Sequence, residues 1–128
     1  MLKIVNIAVG GAVGALLRYW VSGVTCRMLS SSFPWGTLAV NLIGSLIIGF
    51  LWGLSETVVF SQNLKLFVFI GMLGSFTTFS TFSLENLNLL RDGEYWLVFA
   101  NISASIIFGL ILAAAGFFMA KLLVGGLR

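Results

Sequence analysis

With 128 residues, 59% of them hydrophobic and 9% charged, and a mean hydropathy of +1.10, the chain has too little polar surface to coat a water-soluble globule. One cysteine, Cys26, and no histidine exclude a disulfide framework, a zinc-type ligand cluster and an imidazole proton carrier. The net charge of +3 is small and spread along the chain, which speaks against nucleic-acid binding and suits anionic lipid headgroups.

The chain opens with Lys3 and an apolar run from Ile4 to Leu17 that has the look of a signal peptide. Arg18 interrupts the run, and Thr25 stands where a lipoprotein signal needs a small residue before Cys26, so the pattern predicts a retained helix from about Ile4 to Val24. Gly10, Gly14 and Arg18 recur every four residues, giving one small face that should turn toward protein. A Ser-rich linker, Arg27 to Pro34, leads to Pro34-Trp35, which marks an interfacial start for a second span with no charge before Glu56. Asn41, Ser45 and Ile48/Gly49 share a face of that helix, so Asn41 should be interior.

A polar loop with Glu56, Gln62, Asn63 and Lys65 precedes a third span that runs to about Leu90. Its uncharged window, Leu66 to Leu84, is long enough to cross a bilayer, yet Gly71 to Ser83 is crowded with glycine, hydroxyl and phenyl groups. Such a run weakens the helical ladder, and a break is predicted around Gly74 to Thr77. Arg91-Asp92-Gly93-Glu94 reads as a tight turn, after which a fourth span runs from Tyr95-Trp96 to Ala120. Asn101, Ser105, Gly109 and Ala113 form a small and polar stripe along it. The chain is thus predicted to be an all-α integral membrane protein, one domain over residues 1–128, with four transmembrane helices and the third broken near its middle.

Four spans put both termini on one side. Lys3, Lys65, Lys121 and Arg128 then face Arg27 and Arg91, with Arg18 joining the latter, a bias too weak to fix one orientation.

The third span offers hydroxyl donors beside Phe76, Phe79 and Phe82, whose ring edges are positive and can face an anion. The Asn41 amide and the hydroxyls of Ser80, Thr81 and Ser105 could replace water around a small, strongly hydrated anion. Glycines exposing carbonyls at a helix break point instead to a cation, so the residues alone leave the ion open and are compatible with two different ions. Taken singly, Gly10, Gly14, Gly44 and Gly49 read as packing residues, and an isolated Phe pair reads as lipid or core packing. Arg18 would cost about 2.5–3.5 kcal/mol at a bilayer centre, so it should snorkel, pair or line a wet vestibule. Glu85 is suited to capping charge at the end of the third span or to pairing with Arg18; a proton relay is the weaker alternative.

The string Gly74 and Thr77-Thr78-Phe79-Ser80-Thr81-Phe82-Ser83 with Glu85, together with Gly36-Thr37-Leu38, Val40-Asn41-Leu42 and Gly10-Gly11-Ala12 leading to Arg18, resembles the Fluc/CrcB-type fluoride channels over essentially the full length. The resemblance implies a passive fluoride-selective channel in the cell membrane, assembled as an antiparallel, dual-topology dimer with two pores at the subunit interface. It implies a structural sodium ion held by the backbone carbonyls of Gly74 and Thr77, which is not transported. It assigns Asn41, Phe79, Ser80, Thr81, Phe82, Ser83, Asn101 and Ser105 to the fluoride pathway, and Arg18 and Glu85 to a vestibule or structural charge. Asn101 stands where several relatives carry an aromatic residue or histidine, and Gly109 and Ala113 stand where several continue a hydroxyl track. The partner would be a second copy, or a homologous nonidentical subunit as in some relatives. No catalytic dyad or cofactor motif argues for an enzyme. A dual-topology proton-coupled exporter needs a titratable carboxylate within the membrane, for which Glu85 is the one candidate, and a noncatalytic membrane subunit would leave the ring-lined stretch unexplained.

Overall fold

The computed structural model describes residues 1–29 and 31–125, so Ser30 of the linker and Arg128 of the charge comparison lie outside the described residues. Four helical spans are each long and apolar enough to cross a membrane: Leu2–Met28, Trp35–Ser55, Gln62–Arg91 and Tyr95–Gly125. The first is α1, longer at both ends than the predicted Ile4 to Val24, with Arg18 inside the helix as expected. At about 1.5 Å per residue it is roughly 40 Å long, beyond the ~30 Å hydrocarbon core, which leaves its ends for the headgroup layers. Helix α2, Trp35–Ser55, starts directly after Pro34, as the Pro-Trp pair predicted.

The third span is composite. It consists of α3 (Gln62–Lys65), a π-helical segment (Leu66–Leu73), α4 (Gly74–Phe76) and α5 (Phe79–Arg91), the last two separated by extended backbone at Thr77 and Thr78. The interruption therefore overlaps the C-terminal end of the predicted Gly74 to Thr77 and extends to Thr78. Gly74 keeps right-handed helical angles (φ −62°, ψ −32°), whereas Thr77 and Thr78 have ψ of 156° and 121°. Helix α5 ends in a turn where Gly93 N–H bonds Leu90 O and Glu94 N–H bonds Leu89 O. That pairing needs a left-handed residue, and Gly93 supplies it at φ 77°. Helix α6 is Tyr95–Gly125.

Small residues bring α2 and α6 together in parallel. A methyl at Gly53 would sit 2.7 Å from Phe117 O, one at Gly116 would sit 2.8 Å from Phe50 N, and Gly49 lies against the Ala113 backbone. One turn earlier Gly109 faces the Ser45 hydroxyl, so the stripe predicted on the fourth span packs against the α2 face that carries Asn41. At the end of this ladder Lys121 pairs with Glu56, which places the C-terminal end of α6 beside the end of α2, on the predicted shared side. Helix α1 packs on the π-helical segment through Gly10 and Gly71, where a methyl at Gly71 would sit 2.7 Å from Ile7 O. The buried core is short, including Leu38, Val40, Leu73, Phe76, Leu89 and Val98, while large apolar side chains such as Trp20, Phe108 and Leu110 face outward. Close backbone packing among helices whose outer surfaces are apolar is what a lipid solvent selects.

Gly116→Val is expected to lower the thermal unfolding midpoint in detergent markedly, with about 1–3 kcal/mol of overpacking. Gly23→Ala, with nothing within 4 Å of the added methyl, should leave it unchanged.

Candidate ion pathway at the helix break

The break is held by one side chain. Asn41 Oδ1 accepts from the Thr78 backbone N–H at 2.8 Å, and Asn41 Nδ2 donates to the Thr78 carbonyl at 3.0 Å. The amide thus pairs with both polar groups of one peptide residue, as a neighbouring backbone would. In an unbroken helix the Thr78 N–H would bond the Gly74 carbonyl. Its diversion to Asn41 leaves Gly74 O without that donor, while Thr77 N–H and Thr77 Oγ1 both turn back to Leu73 O, at 3.1 and 3.0 Å. Beyond the break Thr78 caps α5, its Oγ1 accepting from Thr81 N–H at 3.2 Å and donating to Thr81 Oγ1 at 3.0 Å.

Two hollows flank this clamp. A cavity of about 380 Å³ is lined by Arg18, Tyr19, Ser22, Thr37, Thr78 and Thr81. Thr81 Oγ1 accepts from Thr78, so its own proton is free to donate into that cavity. A second hollow of about 300 Å³ is lined by Asn41, Ser45, Leu73, Gly74 and Thr77. Each hollow thus holds one of the two extended threonines.

The predicted side chains divide into groups. Phe79 and Phe82 form a tilted pair with ring centroids 5.7 Å apart and planes at 34°, and Phe79 is 79% exposed on the outside of the single chain. Ser80, Thr81 and Ser83 are exposed beside them. Ser83 Oγ donates back to Phe79 O at 2.9 Å, which ties up its proton. Ser105 Oγ is buried with no hydrogen-bond partner among the described residues, leaving its donor unspent. Asn101 is 1% exposed, and its Nδ2 donates to Asn86 Oδ1 at 3.2 Å, so within one chain it is not brought to the Phe79 surface. Arg18 lines the larger cavity, but the expected pairing with Glu85 is not made: Glu85 Oε1 accepts instead from Thr37 Oγ1 at 2.7 Å. The one ion pair among the described residues is Lys121 with Glu56.

Three participants were given no role from the sequence, although Thr37 and Thr78 lie in the strings that carry the family resemblance. Thr37 lies one helical turn before Asn41 and so shares its face, a spacing that could have drawn it in. Thr78-x-x-Thr81 is a helix-start pattern that marks Thr78 as the cap. Asn86 had no distinguishing signal beyond being an amide in an apolar span.

Residues 5–117 match the family model described as CrcB-like protein, Camphor Resistance (CrcB). The chain belongs to the CrcB family. Among curated CrcB-type relatives, a protein of Salinibacter ruber is 49% identical over 126 residues, covering 98% of this chain and 95% of the relative. One from Parabacteroides distasonis is 45% identical with 94% of each chain covered, and one from Dehalococcoides mccartyi is 43% identical with the same coverage. All three are named fluoride-specific ion channel FluC. With its four apolar spans, this CrcB chain is a multi-pass membrane protein.

Replacing Asn41 by Leu keeps the side-chain shape and strands both Thr78 backbone groups. The expected loss is about 1–3 kcal/mol, larger than the loss of about 1 kcal/mol for removing the cap with Thr78→Val. Thermal unfolding in detergent, followed by circular dichroism, should show Asn41→Leu as the more destabilised of the two.

Proposed function

We propose that this chain is a passive, fluoride-selective channel that lets fluoride leave the cytoplasm down its electrochemical gradient. The observation that carries the reading is the break clamped by Asn41, which starts α5 so that the Phe79/Phe82 pair and the free hydroxyl donor of Thr81 are presented together. Ring edges and hydroxyl protons are positive partners that can replace water around a small anion without adding a fixed charge that would trap it. The relatives' shared name supports fluoride as that anion.

One chain leaves Phe79 open on its outer surface, so a second surface is needed to enclose a path. We take that surface to be another copy in antiparallel orientation, with a homologous nonidentical subunit as the other partner of the same kind, and with the two pores at their interface. The weak Lys/Arg asymmetry agrees with insertion both ways. In this arrangement Arg18 draws anions into the larger cavity, Thr81 meets them with a free proton, and Phe79, Phe82, Ser80 and Ser105 continue the path. Ser83 offers lone pairs, its proton being held by Phe79 O, and Glu85 with Thr37 forms a fixed charge beside the path.

The family resemblance also implies a structural sodium ion, and the residues present fit one. Sodium takes oxygen ligands, the Gly74 carbonyl has lost its helical donor to Asn41, and Gly74 and Thr77 line one hollow. Two carbonyls are too few for a hard cation, so a second copy would complete the set. The ion would supply a fixed positive charge that ties two breaks together.

Protein reconstituted in liposomes should release fluoride rapidly with no imposed proton gradient and release chloride far more slowly. Strict dependence on a pH gradient would favour a proton-coupled exporter instead. Phe79→Ile and Phe82→Ile should each slow fluoride release by about tenfold or more while assembly is retained, as read by size-exclusion chromatography. Wild-type rates in both assembled variants would remove the rings from the path.

A further inference from the structure

We propose that Asn101 is a positioning residue for Phe82, acting through Asn86, and not a donor to the ion. This rests on the fluoride-channel reading above. Asn86 lies one turn after Phe82 on α5, and its Nδ2 donates to the Phe82 carbonyl at 2.7 Å. That bond fixes which way the Asn86 amide faces, so its Oδ1 is turned to α6, where Asn101 Nδ2 donates to it at 3.2 Å. The orientation of Asn101 is fixed in turn: its donor side is committed to Asn86, and its remaining oxygen is buried without a partner.

Two consequences follow from the chemistry. Asn101 Nδ2 keeps a second N–H, but at 1% exposure the side chain is enclosed and is not brought to the Phe79 surface, so it presents no donor to the ion path. Both amides are buried, Asn86 at 7% exposure and Asn101 at 1%, so the chain from α6 to the Phe82 carbonyl is sheltered from competing water. The Phe82 turn is therefore anchored laterally to α6 through these two amides. Phe79 lies tilted against Phe82 with ring centroids 5.7 Å apart, so the anchor bears on both rings.

The test is fluoride release from liposomes holding about one channel each, in which the fraction of vesicles emptied counts active channels and the release rate reports conduction per channel. Wild-type protein that releases no fluoride overturns the channel reading and this inference with it. The pair Asn86→Leu with Asn101→Leu keeps both branched shapes and strands no polar side-chain atom, so a purely structural pair would leave the rate per channel unchanged. The expected result is a near wild-type active fraction with the rate per channel reduced about tenfold or more. Asn101→His, which keeps an N–H donor for Asn86 Oδ1, should stay within about threefold of wild type. A wild-type rate per channel in the Leu pair overturns the proposal. If that pair does not reconstitute, Asn101→Ala is read in its place: a wild-type rate overturns the proposal, and so does failure of both to reconstitute, which would make the amide pair a folding element only.

Discussion

Everything at the candidate site depends on the exchange of hydrogen bonds between the Asn41 side chain and the Thr78 backbone. A helix interrupted inside an apolar span would leave peptide groups without partners, at several kcal/mol for each in hydrocarbon. Asn41 answers both groups of Thr78 with one amide, and Thr77 turns its own donors back to Leu73. Both Thr78 backbone groups are therefore satisfied from within the protein, while the Gly74 carbonyl is left without its helical donor. A new helix begins at Phe79, with Thr78 capping its first turn.

Helix α2, which carries the clamp, is held in register with α6. That register comes from backbone contact and not from large side chains: Gly49, Gly53 and Gly116 let α2 and α6 approach to the point where an added methyl would collide with main-chain atoms. Gly44 lies against the Thr77 side chain one turn past Asn41, which brings the break itself within reach of α2. Rigid packing on one side of the break and an open face carrying Phe79 on the other divide the molecule into a scaffold and a surface awaiting its complement.

The architecture was legible in the sequence because its signals are one-dimensional. Uncharged runs gave the spans, Pro34-Trp35 and Arg91 to Glu94 gave their ends, and four-residue spacing of small residues gave the packing faces. The break was legible only approximately. Glycine suggested Gly74, but a glycine can stay helical, and what decides the position is a partner 37 residues away that takes the Thr78 amide. The π-helical stretch from Leu66 to Leu73 carried no usable signal, since its composition is that of an ordinary apolar helix. Hydrogen-bond direction was also out of reach. Asn101 and Ser83 were assigned to the fluoride pathway by the family resemblance, and three-dimensional pairing commits an N–H of the first to Asn86 and the hydroxyl proton of the second to Phe79 O. The preference of Glu85 for Thr37 over Arg18 is of the same kind, a choice among polar neighbours that only the packed helices determine.

The most direct measurement of the central claim is the trans-hydrogen-bond scalar coupling of the Thr78 amide nitrogen, in protein labelled with nitrogen-15 and carbon-13. The account predicts a coupling to the side-chain carbonyl carbon of Asn41 and none to the backbone carbonyl carbon of Gly74. A coupling to Gly74 would show a continuous helix through Thr78 and would contradict the account at its root.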